Sequence, residues 1–461
     1  MKLESIHFRH TYHFSDLKIN FQPVEKPIAL LIGDQASGKT AILKNIYQAL
    51  TWFPARYKDL RTPGVVMLDQ DITYHRVQSK IDVQVSIPAE IGTLKETSDA
   101  QTFDLSHCSW QLYKSLSSNG VGLSKVEVQQ LEQLAGLYTQ AIKDDPLQGL
   151  PLVAYYPTER FVHEINLLSK NNPAVFHTAA AYELAAIPYT TFARFFEWFR
   201  EVSDIENAQT ALLFQKIVDQ KESLSAEQIS QPTHSGFPLE LLQARNELHA
   251  PSLQSLRNSL NKVFPEITDL FLEYQPKLQL MVTIDQETIC YQQLSNTIKN
   301  WIALVGDIVR RMCLLNPASL YPCLEGEGIL LIDNIDDQLD EAHSLTILDR
   351  LHAAFPQLQI IASSHRNEIL ETAEAFQCFK IAHQTIQEIN LTSQHTEFEN
   401  FYTDLVQNKQ HSDVLEEPRV EESATVQMLY QHFKKLTPEQ QQILQRLIQE
   451  GDDTSSHESL L

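Results

Sequence analysis

Eight consecutive residues, Gly33–Asp34–Gln35–Ala36–Ser37–Gly38–Lys39–Thr40, satisfy the spacing GxxxxGK[ST] at every fixed position. The residue types suit one kind of chemistry. Gly33 and Gly38 let the backbone turn back so that successive N–H groups surround phosphate oxygens. Lys39 brings a cation to the β- and γ-phosphates, and the Thr40 hydroxyl can ligand Mg²⁺. The bland alternative is a chance glycine-rich turn, which requires neither a strand before it nor a helix after it. Both flanks are in place. Ile28–Ile32 is an unbroken apolar run suited to a strand buried on both faces, and Ile42, Leu43, Ile46, Tyr47 and Leu50 repeat at helical spacing. Such a helix points its positive end at the same anion. The expected cofactors are ATP and Mg²⁺.

A second acid site is expected at the end of another buried strand. Ile329–Ile332 ends in Asp333, the carboxylate expected on the Mg²⁺ side. A strand ending in a solvated Asp is the plainer reading, and the phosphate loop weighs against it. Leu358–Ala362 leads into Ser363–Ser364–His365, which places an imidazole beside the γ-phosphate. A lone His after a strand says little. Its order and spacing relative to Asp333 give it weight.

The elements that must position these residues follow from periodicity. Leu3, Ile6 and Phe8 lie in one short strand, and Leu17, Ile19 and Phe21 alternate in another. Ile81, Val83, Val85 and Ile87 share one strand face, closed by Pro88. Residues 124–262 read as mostly helical, interrupted by a strand-like Leu152–Tyr156. Phe192, Phe195, Phe196, Phe199 and Val202 form an aromatic stripe at helix spacing, expected as core. Strands return after 270, and a long helix runs from about Ser295 to Leu315. The expected fold class is α/β, an ATPase head with a helical insertion and a helical tail. Its expected divisions are 1–123, 124–269, 270–382 and 383–461.

Composition narrows the functions. The formal net charge of −23 argues against a chain that coats nucleic acid non-specifically, while leaving room for a local basic patch. Five cysteines without paired spacing indicate neither a disulfide framework nor a zinc site. With no leader-like start and no apolar run near ~20 residues, the expectation is a cytoplasmic chain with no membrane partner. Residues 381–461 carry 14 acids and 5 bases. Their last part shows two apolar helical faces, Val426–Leu429–Tyr430–Phe433 and Ile443–Leu444–Leu447–Ile448, expected to pair as a hairpin about Thr437–Pro438 and to dock a partner or a second copy, with packing back on the chain's own head as the alternative.

Together these pieces resemble the ATPase heads of the SMC/RecF superfamily, most closely the AAA-type group once described as ATP-binding proteins involved in virulence. The ATPase subunit of the Septu antiphage system belongs to that neighbourhood. Leu294–Ser295–Asn296–Thr297 with the helix to Leu304 resembles the family's LSDGxRN signature. Val153–Tyr156 with Arg160 resembles its YYGTNR segment, and Phe196–Arg200 its FFxWFRE segment. The resemblance covers most of residues 1–382. It implies a homodimer or higher oligomer with ATP sandwiched between heads, Ser295 of one copy reaching the γ-phosphate of the other. It also implies contact with DNA and an HNH-type nuclease partner.

The departures are equally specific. Where the family's Walker B motif continues with Glu, the base that orients the attacking water, this chain has Asn334. An amide holds a water without accepting its proton, a loss of about 10²–10⁴ in rate. The signature Gly is replaced by Thr297, and Asp336 or Asp337 could stand in as base. No glutamine is assignable to the family's Q-loop. The expected role is an ATP-gated switch in DNA-related defence or repair with slow hydrolysis. The alternatives are an active RecF-type repair ATPase and a non-hydrolysing scaffold. Arg56, Lys58 and Arg61, after the Walker A helix, are the expected DNA contact, with a solvated basic turn as the equal alternative.

Overall fold

Alternating apolar and polar residues in the N-terminal part build an antiparallel sheet. Its strands are β1 (Lys2–Thr11), β2 (Phe14–Asn20), β4 (Gln78–Ser86), β7 (His107–Ser115) and β8 (Leu123–Glu127), in the order β2-β1-β4-β7-β8. Ile81, Val83 and Val85 are buried on one face of β4, as a period of two requires. A hairpin of β5 (Leu94–Ser98) and β6 (Gln101–Leu105) stands apart from this sheet. The computed structural model describes residues 1–22, 24–98, 101–116, 123–160, 162, 178–182, 191–222, 251–382 and 384–389.

The second sheet collects the unbroken apolar runs. It contains β3 (Ile28–Ile32), β9 (Leu152–Tyr156), β13 (Gly328–Ile332), β14 (Leu358–Ser364), β15 (Gln377–Ala382) and β16 (Thr385–Ile389), in the order β16-β15-β3-β14-β13-β9. β3, β9, β13 and β14 are buried at every position, as expected of parallel strands covered on both faces. The parallel register pairs Ser364 with Ile32, and Ile332 with both Ala362 and Tyr156. Gly33, His365, Asp333 and Pro157 therefore leave the sheet along one edge. In open α/β sheets that carboxyl edge is where ligands bind.

Helices fill the remaining core: α1 (Lys39–Leu50), α2 (Trp52–Lys58), α3 (Gln129–Asp144), α4 (Thr191–Glu222), α5 (Pro251–Val263), α6 (Asn296–Leu315), the short α7 (Pro322–Glu325) and α8 (Glu341–Ala354). The third sheet is a meander of β10 (Ile267–Glu273), β11 (Gln279–Ile284) and β12 (Glu287–Cys290). The aromatic stripe of α4 is core, because Phe192, Phe195, Phe196 and Phe199 are all buried. Gly306 of α6 meets it closely: a Cβ there would lie 2.3 Å from the Phe195 ring. Inside α6, Asp307 accepts from Arg310 at 2.9 Å and Arg311 at 2.7 Å, and Tyr156 of β9 donates to it at 2.8 Å. All four side chains are buried, so this cluster ties β9 to α6.

The expected divisions fall across elements. The boundary at 123/124 cuts β8, and that at 269/270 cuts β10. Leu152–Tyr156, inside the stretch read as a helical insertion, is a strand of the second sheet. The tail beyond residue 389, with its two expected helical faces, lies outside the described residues.

Candidate functional site

The Gly33–Thr40 loop joins β3 to α1 as the sequence requires. Gly38 adopts φ 101°, and a Cβ there would meet the His13 ring at 2.4 Å, so both conformation and space demand glycine. At Gly33 a Cβ would meet the Ile381 carbonyl at 2.4 Å. No side chain caps α1, which leaves its first N–H groups directed at the loop. Lys39 is buried, and its ammonium donates to the carbonyls of Gly33 at 2.5 Å and Asp34 at 2.9 Å. Burial lowers its pKa, opposed by the carboxylates of Asp333, Asp34 and Asp336.

Asp333 is the centre of the site. It is fully buried, and three hydroxyls from three elements converge on it. Thr40 donates to Oδ2 at 2.7 Å, Thr158 to the same oxygen at 3.0 Å, and Ser363 to Oδ1 at 2.5 Å. A buried carboxylate opposite a threonine at the end of a phosphate loop is a donor set for a hard, oxygen-preferring cation. These residues fit Mg²⁺ bound between Thr40, Asp333 and nucleotide phosphates.

The residue after Asp333 is held from several sides. Asn334 has φ 43°, its N–H donates to Ser363 Oγ at 2.9 Å, and its Nδ2 donates to the Thr158 hydroxyl at 3.0 Å. Arg160 is buried beneath it and donates to the carbonyls of Asp333 at 2.6 Å and Asn334 at 2.7 Å. Burial lowers the Arg160 pKa while Asp337, Asp333 and Asp336 support its charge. Asp336 is also fully buried, accepts from Ser364 Oγ at 2.8 Å, and has no hydrogen-bond partner for Oδ1 among the described residues.

His365 stands exposed at the end of β14, one position past the Ser364–Ile32 pair and so level with Gly33. Ser295 caps α6, accepting from the Ile298 N–H at 3.3 Å, and is exposed. No hydrogen bond joins it to the phosphate loop among the described residues. Thr297 donates to the Gln338 carbonyl at 3.3 Å. The basic trio divides. Arg56 is engaged internally, donating to the carbonyls of Leu60 at 2.5 Å and Thr62 at 2.9 Å with its guanidinium over Trp52, whereas Lys58 and Arg61 are exposed.

Three participants escaped sequence reasoning. Thr158 and Ser363 are small hydroxyls whose roles depend on strand order, which periodicity does not supply. Thr158 follows β9 and lies beside Asp333. His13 flanks Gly38, and its Nε2 is buried without a partner among the described residues.

Comparison with known proteins gives the following. A family described as AAA domain matches residues 5–273. A retron Vc95 probable ATPase of Vibrio cholerae serotype O1 biovar El Tor is 26% identical over 380 residues, covering 78% of this chain and 70% of the relative. A retron Ec83 probable ATPase of Escherichia coli is 24% identical over 407 residues, covering 81% and 70%. Among solved structures, the Smc head domain with an extended coiled coil bound to the C-terminal domain of ScpA, from Pyrococcus furiosus, aligns with a TM-score of 0.45 at 12% identity, over 87% of this chain and 99% of that one. The SMC head domain from Thermotoga maritima aligns with a TM-score of 0.37 at 10% identity, over 84% and 98%.

Proposed function

Since this chain is an ATPase of the AAA domain family, we propose that it works as an ATP-gated switch with slow hydrolysis in a DNA-related defence system. The observation that carries the reading is the Asp333 carboxylate with the Thr40 and Thr158 hydroxyls on one oxygen, at the mouth of a complete phosphate loop. Backbone N–H groups of Gly33–Thr40 bind the phosphates. The Lys39 ammonium, resting on loop carbonyls, exchanges them for phosphate oxygens. Bound Mg²⁺ supplies neutralisation of the β- and γ-phosphate charge. His365 presents its imidazole beside the loop.

Slow turnover rests on Asn334. Its amide nitrogen is committed to Thr158, and its oxygen can hold a water without removing a proton. The exposure of Ser295 on its helix cap supports the reading that it serves a second copy of the chain in an ATP-dependent dimer. The retron relatives support the defence setting. An HNH-type nuclease is the partner we propose for the switch. The test is Mg-ATP affinity, single-turnover hydrolysis and oligomeric state measured together. Tight binding, slow turnover and ATP-dependent dimerisation are expected, and failure to bind ATP would remove the reading.

One observation favours faster chemistry. Buried Asp336 is close enough to act on the Lys39 charge; its Oδ2 is engaged by Ser364 at 2.8 Å and lies 3.6 Å from Arg366, while its Oδ1 has no hydrogen-bond partner among the described residues. As an alternative base it would make the chain an active ATPase of RecF type. Asp336→Asn separates the readings, since only an active base costs turnover with ATP binding retained.

A further inference from the structure

A second cavity opens on the flank of α1 and α2, away from the phosphate loop. It encloses about 810 Å³, within the ~300–1,000 Å³ range of small-ligand sites. A smaller one of about 420 Å³, bounded by Thr40, Thr158 and Asp333, adjoins it. Lys44, Tyr47, Gln48 and Val65 line both, so the two form a continuous groove along α1.

The walls of the larger cavity are aromatic and cationic. Tyr12, Tyr57 and Tyr182 contribute ring surface, and Val66 and Leu68 remain 42% and 50% exposed at its edge. Apolar side chains left open around a concavity mark a binding surface. Lys44 and Lys58 are exposed, and neither has an ion-pair or hydrogen-bond partner among the described residues. The carboxylate in the lining, Asp71, is buried and engaged. It accepts from the Leu68 N–H at 2.8 Å, the Gln48 amide at 3.4 Å and the Tyr12 hydroxyl. In a chain of net charge −23, two ammonium groups without a partner among the described residues, lining one cavity with three tyrosines, form a local exception.

We propose that the larger cavity binds a nucleotide unit distinct from the ATP of the phosphate loop, the base against the tyrosines and the phosphate on Lys44 and Lys58. Aromatic faces accept any base by stacking, and lysines bind phosphate as point charges. A duplex presents its bases stacked and paired, so it offers nothing for the tyrosines to take. The ligand is a free mononucleotide or the unpaired end of a strand. Because the larger cavity uses neither Lys39 nor Asp333, the proposal does not depend on the ATPase reading.

The experiment uses the full chain with the phosphate loop saturated by Mg²⁺ and a non-hydrolysable ATP analogue. A labelled single-stranded oligodeoxynucleotide is the probe, and thymidine monophosphate and the matching duplex are competitors. Saturable binding of the strand is expected. Lys58→Glu and Tyr57→Ala should each weaken it about tenfold or more, with affinity for the ATP analogue unchanged. Competition by thymidine monophosphate at similar affinity identifies a free nucleotide as ligand; competition by strands alone identifies a strand end. Tyr57 packs on Phe53, so the exposed Lys58→Glu decides if Tyr57→Ala loses stability. Absence of binding, equal affinity for duplex, or full affinity in Lys58→Glu overturns the proposal.

Discussion

The amide of Asn334 is bound to the hydroxyl of Thr158, Nδ2 to Oγ1 at 3.0 Å, while that hydroxyl donates in turn to Asp333. Asn334 is thus tied to a hydroxyl that itself bonds the buried Asp333 carboxylate. One of its two amide N–H groups is used there, and its backbone adopts φ 43°. This arrangement supports the slow turnover proposed for the site.

Asn334→Glu should therefore raise turnover by about 10²-fold if the remaining geometry is competent. Phosphate release under single-turnover conditions measures it. Wild-type turnover already in the ordinary range of ATPases would show that another group, Asp336 foremost, acts as base.

Lys39→Ala and Gly38→Ala should each abolish binding of a fluorescent ATP analogue. The first removes the cation. The second forces a Cβ into the His13 ring and into a backbone conformation that suits glycine. Titration by anisotropy reads both, and retained affinity in either would show that the loop is not the nucleotide site.

Thr158→Val keeps the shape of the side chain and removes its hydroxyl from Asp333. Outer-shell losses of this kind cost about 10–100-fold in metal affinity. ATP binding should shift to higher Mg²⁺ concentration by that factor, while binding measured without Mg²⁺ stays the same.

The buried cluster of Asp307, Arg310, Arg311 and Tyr156 makes a pH-dependent contribution to stability. Burial alone pushes the Asp307 carboxyl up, and the guanidinium groups of Arg311 and Arg310 outweigh it, leaving the carboxyl below its ordinary value. A depressed carboxyl stabilises fully above its unfolded pKa of about 3.9 and loses that contribution as pH falls below it. Asp307→Ala should cost about 3–5 kcal/mol near neutral pH by stranding two guanidinium groups. The urea midpoint as a function of pH checks both statements, since the gap between wild type and variant should narrow in acid.

The parts of this site legible in the sequence are those set by local pattern. The phosphate loop, Asp333 and His365 each sit directly after an apolar run, and a run names its own end. The roles of Thr158 and Ser363 are not legible in the sequence because their partners are chosen by strand order. Nothing in the spacing says that β9 pairs with β13, or that β14 lies between β13 and β3. Arg56 shows the converse. It belongs to a basic trio in sequence, yet its guanidinium is used to hold the turn at Leu60–Thr62. The division at 123/124 falls inside β8, which pairs antiparallel with the preceding strand β7.

The sheet order also sets a schedule for the chain as it is made. β3, which carries the phosphate loop, pairs with β14 and β15 alone, and these are encoded more than three hundred residues later. At ~5–20 residues per second of synthesis, the loop waits on the order of 15–60 s for the strands that flank it. Until they emerge from the ribosome, Gly33 lacks the Ile381 carbonyl that closes over it and Thr40 lacks Asp333. A nascent or prematurely ended chain therefore carries the phosphate motif without the pocket, and nucleotide competence arrives only when translation has passed the last strand.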